Sequence, residues 1–221
     1  MDASHFGRTP NMAGDKNQIW MFSEGYVEEP PALREARVLA HELGATPATA
    51  GTGALLRMVA ALRDAKAVVE VGTDVGVSGL WTLAGMNQRG VLTTIDPDAA
   101  RQQGAENAFK AAGIPSQRLR FITGRALEVL PRLAANSYDM FTVSGDPEKV
   151  DRYVEHATRI LKPHGALVLT DALWYGKVAD PTRRDPQTVA MREVVRALLE
   201  SEDYRVTLLP TGEGVLVAVK R

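Results

Sequence analysis

The strongest chemical signal in this 221-residue chain is a glycine-rich segment that follows a short apolar run. The segment reads E-V-G-T-D-V-G-V-S-G over residues 70–79. Glycines let a backbone approach a ligand closely, and free N–H groups at the start of a helix bind anionic groups. Gly72, Gly76 and Gly79 depart from the G-x-G-x-x-G spacing of dinucleotide-binding loops, because Asp74 stands at the second glycine position. The segment therefore indicates a ligand other than NAD, with a tight turn that binds nothing as the alternative.

Two carboxylates accompany this segment. Glu70 lies two positions before the first glycine, where it can engage an ammonium group. Asp96 ends the next apolar run, 26 positions later, where a carboxylate can accept hydrogen bonds from both hydroxyls of a ribose. An aspartate after a strand is also a common turn or helix-capping residue. Together with the glycines, the two acids favour a nucleoside ligand that carries an amino-acid end.

The elements that position these residues alternate between strand and helix. Short apolar runs predict strands at residues 67–71, 91–95, 119–123, 138–143 and 166–169. Apolar residues at helical spacing predict intervening helices at 78–86, 101–112, 125–134 and 148–161. This alternation indicates a parallel sheet with helices on both faces. After a helix at 188–199, the runs 204–209 and 215–219 are only five residues apart, so they must form an antiparallel hairpin.

The N-terminal part lies outside this alternation. We expect a flexible arm over residues 1–18 and a single domain over residues 19–221, in which N-terminal helices (19–62) precede an α/β core (63–221). An aromatic-rich segment adds apolar surface outside the core sheet and predicts a homodimer; its members are Trp20, Phe22 and Tyr26.

Composition excludes several classes of protein. Lysine plus arginine total 26 and aspartate plus glutamate total 27, and the resulting net charge of −1 argues against a nucleic-acid partner. The chain has no cysteine, which excludes disulfides and cysteine-based metal sites. No apolar run approaches the roughly 18 residues that cross a bilayer, and residues 1–16 lack the apolar segment of a signal peptide. We therefore expect a cytoplasmic protein without a membrane partner.

The motifs taken together resemble those of the S-adenosylmethionine-dependent O-methyltransferases, the family of catechol and caffeoyl-CoA O-methyltransferases and their bacterial relatives. The matching segments are E-V-G-T-x-x-G-x-S (70–78), T-I-D (94–96), G-R-A (124–126), Y-D (138–139), L-K-P (161–163), L-W-Y-G-K-V-A-D-P (173–181) and the tail at 208–219. The resemblance implies a Rossmann-like class I methyltransferase of the α/β class. Such a fold has a mostly parallel seven-stranded sheet with an antiparallel C-terminal hairpin and helices on both faces.

The resemblance also implies a site for S-adenosyl-L-methionine. The residues implied are Glu70, Gly72, Thr73 and Ser78 for the methionine part, Asp96 for the ribose, Arg125 and Ala126 for the adenine, and Ala48, Gly76 and Ser144 around them. Trp174 and Tyr175 follow the fifth strand, beside the site expected for a small-molecule acceptor. A tryptophan there can stack on a planar substrate or merely cover the edge of the sheet.

The match breaks at the metal site of the resembled family. Its metal-dependent members carry F-I-D-A-D-K after the fourth strand and D-N after the fifth, and the first aspartate and the D-N pair hold a divalent cation. Here Ser144, Pro147 and Ala172 replace the first aspartate, the lysine and the asparagine, so only Asp171 remains. A hard cation needs several oxygen ligands, so we predict no metal, with a loop shift that brings Asp146 into the site as the alternative.

Three functions are compatible with these residues. The first is methyl transfer to a hydroxyl of a small acceptor, with aromatic acceptors among the candidates, no metal, and Asp171 or Asp146 as the base. The second is a cofactor-binding protein with a degenerate catalytic site. The third is methylation of an RNA hydroxyl.

Overall fold

The structure, a computed structural model, describes the backbone of residues 12–221 and the side chains of residues 16–221. Its helices are α1 (Met12–Glu24), α2 (Pro31–Glu42), α3 (Ala50–Leu62), α4 (Val77–Gly85), α5 (Ala99–Ala111), α6 (Ala126–Val129), α7 (Val150–Ile160) and α8 (Pro186–Glu200). Its strands are β1 (Ala67–Val71), β2 (Val91–Asp96), β3 (Leu119–Thr123), β4 (Tyr138–Val143), β5 (Leu161–Leu169), β6 (Tyr204–Leu209) and β7 (Val215–Lys220). No helix in this range is both long and apolar enough to span a membrane.

The described strands form a seven-stranded sheet in the order β3-β2-β1-β4-β5-β7-β6. Strands β1 to β5 pair in parallel, and β7 lies antiparallel between β5 and β6. The predicted parallel sheet with an antiparallel terminal hairpin is therefore confirmed. The order in which strands are added to the sheet reverses between β1 and β4: β2 and β3 lie on one side of β1, and β4 and β5 lie on the other. The ends of β1 and β4, at Val71 and Val143, lie side by side. In open α/β sheets, a reversal of this kind opens a crevice for ligands.

Buried apolar side chains cover both faces of the sheet. On one face, Phe141 and Leu167 belong to a cluster with residues of α6, α7 and α8. On the other face, Val68 belongs to a cluster with residues of α2 to α5. Because both faces are covered, the central strands consist largely of apolar residues. Polar residues buried within them, such as Glu70 and Thr142, are exceptions that need a partner.

Three predicted boundaries differ from the structure by several residues. Strand β5 begins at Leu161 rather than at residue 166. Helix α1 begins at Met12, so residues 12–18 belong to a helix rather than to an arm, while residues 1–11 lie outside the described residues. Helix α6 ends at Val129 and is followed only by a short 3-10 turn. Pro131 explains the early end of α6, because proline lacks an N–H donor and its ring disrupts the helix.

Helix α1 is fastened to a distant part of the chain by Glu24. Its Oε1 accepts hydrogen bonds from the hydroxyl of Thr211 at 2.6 Å and from the N–H of Gly212 at 2.7 Å. Its Oε2 accepts a hydrogen bond from the N–H of Gly51 at 3.1 Å. Burial alone would raise the pKa of Glu24, but these hydrogen bonds outweigh burial and hold the pKa below its usual value. The carboxylate thus joins α1, the first turn of α3 and the turn between β6 and β7.

Candidate active site

The loop after β1 is shaped by two glycines in the left-handed region. Gly72 has a φ of +92° and Gly76 a φ of +88°, conformations that favour glycine. A β-carbon on Gly72 would lie 3.2 Å from the carbonyl oxygen of Ser144, and one on Gly76 would lie 2.7 Å from the ring of Phe109. Gly72 therefore lets the ends of β1 and β4 approach each other, and Gly76 lets α4 begin against α5.

Asp96 is oriented by backbone N–H groups at the end of β2. Its Oδ2 accepts a hydrogen bond from the N–H of Asp74 at 2.9 Å, and its Oδ1 accepts one from the N–H of Asp98 at 2.8 Å. Each oxygen keeps a second lone pair, so the carboxylate is fixed yet able to accept further hydrogen bonds. Arg101 pairs with Asp74 at 3.2 Å and holds the other side of the loop.

Glu70 is buried, and two hydroxyl groups bind its carboxylate. Its Oε1 accepts a hydrogen bond from the Ser78 hydroxyl at 2.6 Å, and its Oε2 accepts one from the Thr94 hydroxyl at 2.7 Å. Burial raises the pKa of Glu70 to about 7, although the two hydroxyl donors oppose this effect. A nearby cation would stabilise the charged form of such a carboxylate, which fits the predicted contact with an ammonium group.

Thr73 lies behind the glycine loop and is fully buried, so the structure does not bring its side chain to an open site. Its hydroxyl lies 2.6 Å from that of Thr94 and accepts a hydrogen bond from Gln102 Nε2 at 3.3 Å. Gln102 Nε2 also donates a hydrogen bond to the carbonyl of Ile122, and Gln102 Oε1 accepts one from the Thr123 hydroxyl at 2.6 Å. Sequence reasoning missed Gln102, a residue of α5 whose side chain links the glycine loop to strands β2 and β3.

A cleft of about 820 Å³ lies along the ends of β1, β2 and β4, and we call it the wide compartment. Five residues predicted from the sequence line it: Gly72, Arg125, Ala126, Ser144 and Asp146. A much smaller cavity, the narrow compartment, shares Gly72 and Ser144 with the cleft. Its polar side chains are those of Glu70, Ser78, Thr142, Ser144 and Thr170. A wide space next to a narrow polar one suits a nucleoside with an amino-acid end.

Thr142 is a residue of the narrow compartment that sequence reasoning missed. It lies in β4 between Phe141 and Val143 and is only 3% exposed. Its Oγ1 has no hydrogen-bond partner among the described residues. The available signal in the sequence was a polar residue between two apolar ones near the end of the strand.

Ala48 is not among the residues that line either compartment. Its carbonyl accepts a hydrogen bond from Arg37 Nη2 at 2.8 Å, and Arg37 is also paired with Glu29. The next residue, Thr49, caps α3 by accepting a hydrogen bond from the N–H of Thr52 at 3.2 Å. The structure thus places Ala48 in a braced loop before α3.

The positions that hold a cation in the resembled family are occupied by Ser144, Asp171 and Ala172. Asp171 Oδ2 accepts hydrogen bonds from the Ser144 hydroxyl at 3.1 Å and from the N–H of Gly145 at 2.8 Å. Ala172 is buried, and its N–H donates to the carbonyl of Gly214 at 2.8 Å. Within residues 16–221, no cluster of three or more histidine, aspartate or glutamate side chains is arranged to hold a metal. One carboxylate, one hydroxyl and one methyl group do not fit a divalent cation.

Asp146 has partners of its own on the wall of the wide compartment. Its Oδ2 accepts hydrogen bonds from the Tyr153 hydroxyl at 3.0 Å and from Lys149 Nζ at 2.8 Å. Burial and the neighbouring Asp146 carboxylate raise the pKa of Tyr153. The two predicted catalytic carboxylates, Asp146 and Asp171, are therefore engaged by separate sets of donors.

Trp174 and Tyr175 adopt a left-handed turn, with φ values of +46° and +56°, and Gly176 continues it at +74°. Their rings meet edge to face, with centroids 5.3 Å apart. Trp174 packs against the apolar cluster, while Tyr175 is half exposed. Partial burial, followed by the charges of Asp171 and Glu213, raises the pKa of Tyr175. The structure thus places Tyr175 within range of the Asp171 charge.

The fold and the two compartments define the class of Rossmann-like methyltransferases, and solved structures agree. A protein from Corynebacterium glutamicum has a TM-score of 0.86 and 33% identity, with 93% of this chain and 97% of that chain covered. The O-methyltransferase TomG from Streptomyces achromogenes, solved in complex with SAM and involved in tomaymycin synthesis, has a TM-score of 0.82 and 26% identity. That match covers 92% of this chain and 97% of the TomG chain.

Sequence comparison identifies the family. Residues 24–221 match the O-methyltransferase family. A Mycobacterium marinum protein named as an O-methyltransferase is 45% identical over 198 residues, covering 90% of this chain and 88% of that protein. A Mycobacteroides abscessus protein of the same name is 43% identical over 198 residues, covering 90% and 92%. The chain therefore belongs to the O-methyltransferase family, and its cofactor is S-adenosyl-L-methionine.

Proposed function

We propose that this protein transfers a methyl group from S-adenosyl-L-methionine to a hydroxyl of a small acceptor, without a divalent metal and with Asp171 as the base. The observation that carries the proposal is the arrangement around the Asp171 carboxylate. Its donors, Ser144, Gly145 and Thr170, all reach Oδ2. Its Oδ1 accepts no hydrogen bond from the described residues. A carboxylate oxygen with no hydrogen-bond donor of its own can accept the proton of an acceptor hydroxyl.

The two compartments support a defined placement of the cofactor. The residues proposed to hold it are Arg125 and Ala126 for the adenine, and Gly72, Glu70 and Ser78 for the methionine part. Asp96 is proposed for the ribose because its neighbours Ile95 and Pro97 line the wide compartment, although Asp96 itself is not among the lining residues. Thr73 and Gly76 support the loop from behind rather than touch the ligand. S-adenosylmethionine, when bound, supplies an electrophilic methyl group next to the acceptor.

The protein contributes to the reaction by positioning the cofactor and the acceptor and by accepting the proton of the acceptor hydroxyl. Asp171 follows β5, and the turn of Trp174 and Tyr175 covers the same end of the sheet. Holding the two reactants close together in the correct orientation removes much of the entropic cost of their encounter. Because no bound cation would lower the pKa of the acceptor hydroxyl, acceptors that ionise readily, such as phenols, need the least help from Asp171.

We also propose that α1 forms part of an interface between two copies of this chain. The large apolar side chains exposed on α1, beyond its end and on α3 are Ile19, Met21, Phe22, Tyr26, Met58 and Leu62. Trp20 donates its indole N–H to the carbonyl of Pro210 at 2.9 Å, which fixes α1 against the turn before β7. Extended apolar patches on one face of a protein mark interaction sites.

A cofactor-binding protein without catalysis is the second candidate. It is favoured by Ser144 and Ala172, which remove two of the three positions for a cation, and by the intact environment of Glu70 and Asp96. The two candidates share the cofactor site and differ only in whether a methyl group is transferred.

An assay with labelled S-adenosylmethionine tests the first candidate. Catechols, simple phenols, small alcohols and bulk tRNA are offered as acceptors, each with and without magnesium. We expect transfer to a small phenol that does not need magnesium. Asp171→Asn should lower kcat by roughly 100-fold or more, the range for loss of a general base, and leave cofactor affinity unchanged.

Asp203→Asn is the matched control, because Asp203 is an exposed aspartate between α8 and β6. It should retain the rate of the unmodified protein. Cofactor binding with no transfer to any acceptor would support the second candidate. Transfer to tRNA alone would replace the small acceptor with an RNA hydroxyl.

A further inference from the structure

Thr142 presents a hydroxyl that the protein itself does not use. The side chain is 3% exposed, and its Oγ1 has no partner among the described residues. Leaving a buried polar group unpaired is costly, so native proteins rarely keep one without a ligand or a bound water to satisfy it. The position of this hydroxyl therefore calls for a partner from outside the chain.

The sheet register places Thr142 directly beside Glu70. The two residues are paired across the parallel strands β1 and β4, and Thr94 is paired with Glu70 on its other side. Neighbouring strands lie about 4.8 Å apart, so the Glu70 carboxylate and the Thr142 hydroxyl line the same small space. That space, the narrow compartment, has a volume of about 10 Å³, enough for one group of the size of a water molecule.

The walls of the narrow compartment select the charge of the group that enters. Both oxygens of Glu70 already accept a hydroxyl donor, and each retains one lone pair. Thr142 adds a further oxygen acceptor. A carboxylate entering this space would meet the charge of Glu70, whereas an ammonium group would find acceptors for its N–H bonds and a negative charge.

We propose that Thr142 Oγ1 accepts a hydrogen bond from the α-ammonium group of the cofactor, and that with Glu70 it makes binding selective for ligands that carry this amino group. The inference rests on the cofactor placement proposed above. It assigns to Thr142 a direct contact that the sequence motifs do not contain.

This role predicts opposite effects on stability and on binding. Removing the hydroxyl eliminates an unpaired buried group from the ligand-free protein, so Thr142→Val should leave the melting temperature unchanged or raise it. The same substitution removes a hydrogen bond to a charged group and should weaken binding by about tenfold or more. A threonine that serves only packing would lose stability and affinity together.

The experiment is a cycle of two ligands and two proteins, measured by titration calorimetry. The ligands are S-adenosylhomocysteine and its deamino analogue, which keeps the carboxylate and lacks the amino group. For Thr142→Val we expect about tenfold weaker binding of S-adenosylhomocysteine and unchanged binding of the analogue. Thr142→Ser, which keeps the hydroxyl, should retain most of the preference for the amino group.

Thr158→Val is the matched control, since Thr158 lies on α7 and its hydroxyl is already bonded to Val154 and Tyr204. It should lower stability and leave the ligand preference intact. Equal losses for both ligands in Thr142→Val, or no loss for either, would overturn the proposal. If Thr142→Val does not fold, the wild-type protein still tests the proposal: equal affinity for both ligands would overturn it, while leaving the cofactor placement intact. Failure of wild type to bind either ligand would instead reject the cofactor placement.

Discussion

The Ser144 hydroxyl donates to Asp171 Oδ2 at 3.1 Å, across the adjacent ends of β4 and β5. Two carboxylates at these positions would repel each other without a cation between them, whereas a hydroxyl and a carboxylate form a neutral-to-charged hydrogen bond that needs no metal. The Ser144–Asp171 pair therefore does not need a cation between its two side chains.

We therefore expect purified protein to contain no stoichiometric divalent metal, and any methyl transfer to survive excess EDTA. Ser144→Asp recreates a carboxylate pair with Asp171 and should acquire a melting temperature that rises with magnesium. The unmodified protein, measured in the same buffers, serves as the control and should not respond. Elemental analysis that finds one metal per chain, or activity lost in EDTA and restored by magnesium, would show that the site is rebuilt by other ligands.

The raised pKa of Glu70 predicts a pH-dependent affinity for the cofactor. At pH 6 the buried carboxylate is mostly protonated and at pH 8 mostly charged, because its pKa is about 7. Only the charged form attracts an ammonium group, so affinity for S-adenosylhomocysteine should rise by about tenfold between these pH values. Binding at pH 7 should release roughly half a proton, which calorimetry in two buffers of different ionisation enthalpy detects.

Glu70→Gln should bind weakly and with little pH dependence over this range. The same group affects stability with a definite sign. Its folded pKa lies above the ordinary glutamate value of 4.5, so its contribution to folding is complete below pH 4.5 and is lost as pH rises through 7. The loss amounts to about 3 kcal/mol and should be absent in Glu70→Gln, as measured by urea unfolding at pH 5 and pH 8.

Asp96→Ala tests the ribose contact. The carboxylate is charged and oriented, so its loss should weaken S-adenosylhomocysteine binding by roughly 1.5–3 kcal/mol in calorimetry. Asp98→Ala is a suitable control, because Asp98 is exposed and caps α5 by accepting hydrogen bonds from Ala100 and Arg101, whereas the Asp96 side chain is buried at the end of β2. That variant should lose about 1 kcal/mol of stability and keep its affinity. Equal affinity in Asp96→Ala and wild type would remove Asp96 from the site.

The proposed interface is tested by a charge on α1. Light scattering at micromolar concentration should give a mass near twice the 23.9 kDa of one chain. Phe22→Lys, at a side chain that is 70% exposed, should shift the mass toward the monomer. Leu199→Lys, at a residue of α8 that is 72% exposed, should not. A monomeric wild-type protein would exclude the dimer.

The alternation of apolar runs was enough to predict the sheet and its antiparallel end, because strands buried on both faces leave a strong pattern. The start of helix α1 was assigned to the arm, because the helix lacks the pattern that a buried face leaves. Its large apolar residues Ile19 to Phe22 are consecutive and mostly exposed, so they show no helical spacing. Their attachment depends on Trp20 and Glu24. These residues bind Pro210, Thr211 and Gly212, which lie more than 180 positions further along the chain, and Glu24 also binds Gly51.

The motifs singled out Glu70 and Asp96 as candidates, because acids near the ends of consecutive strands are recognisable from their spacing alone. They did not reveal that the Thr73 side chain is fully buried or that Asp146 binds Tyr153. The direction of a loop side chain is decided by contacts between elements, here with Gln102 and with α7. The unpaired hydroxyl of Thr142 likewise became visible only in the structure.

The Glu24 carboxylate has a consequence for the time course of folding in the cell. Its partners Thr211 and Gly212 follow it by 187 and 188 positions. At the usual rates of synthesis, the ribosome adds that length in roughly 10–40 s, so α1 is made long before its binding surface exists. During that interval Glu24 can bind the N–H of Gly51 but lacks its bonds to Thr211 and Gly212, so the complete docking of α1 is one of the last events in folding.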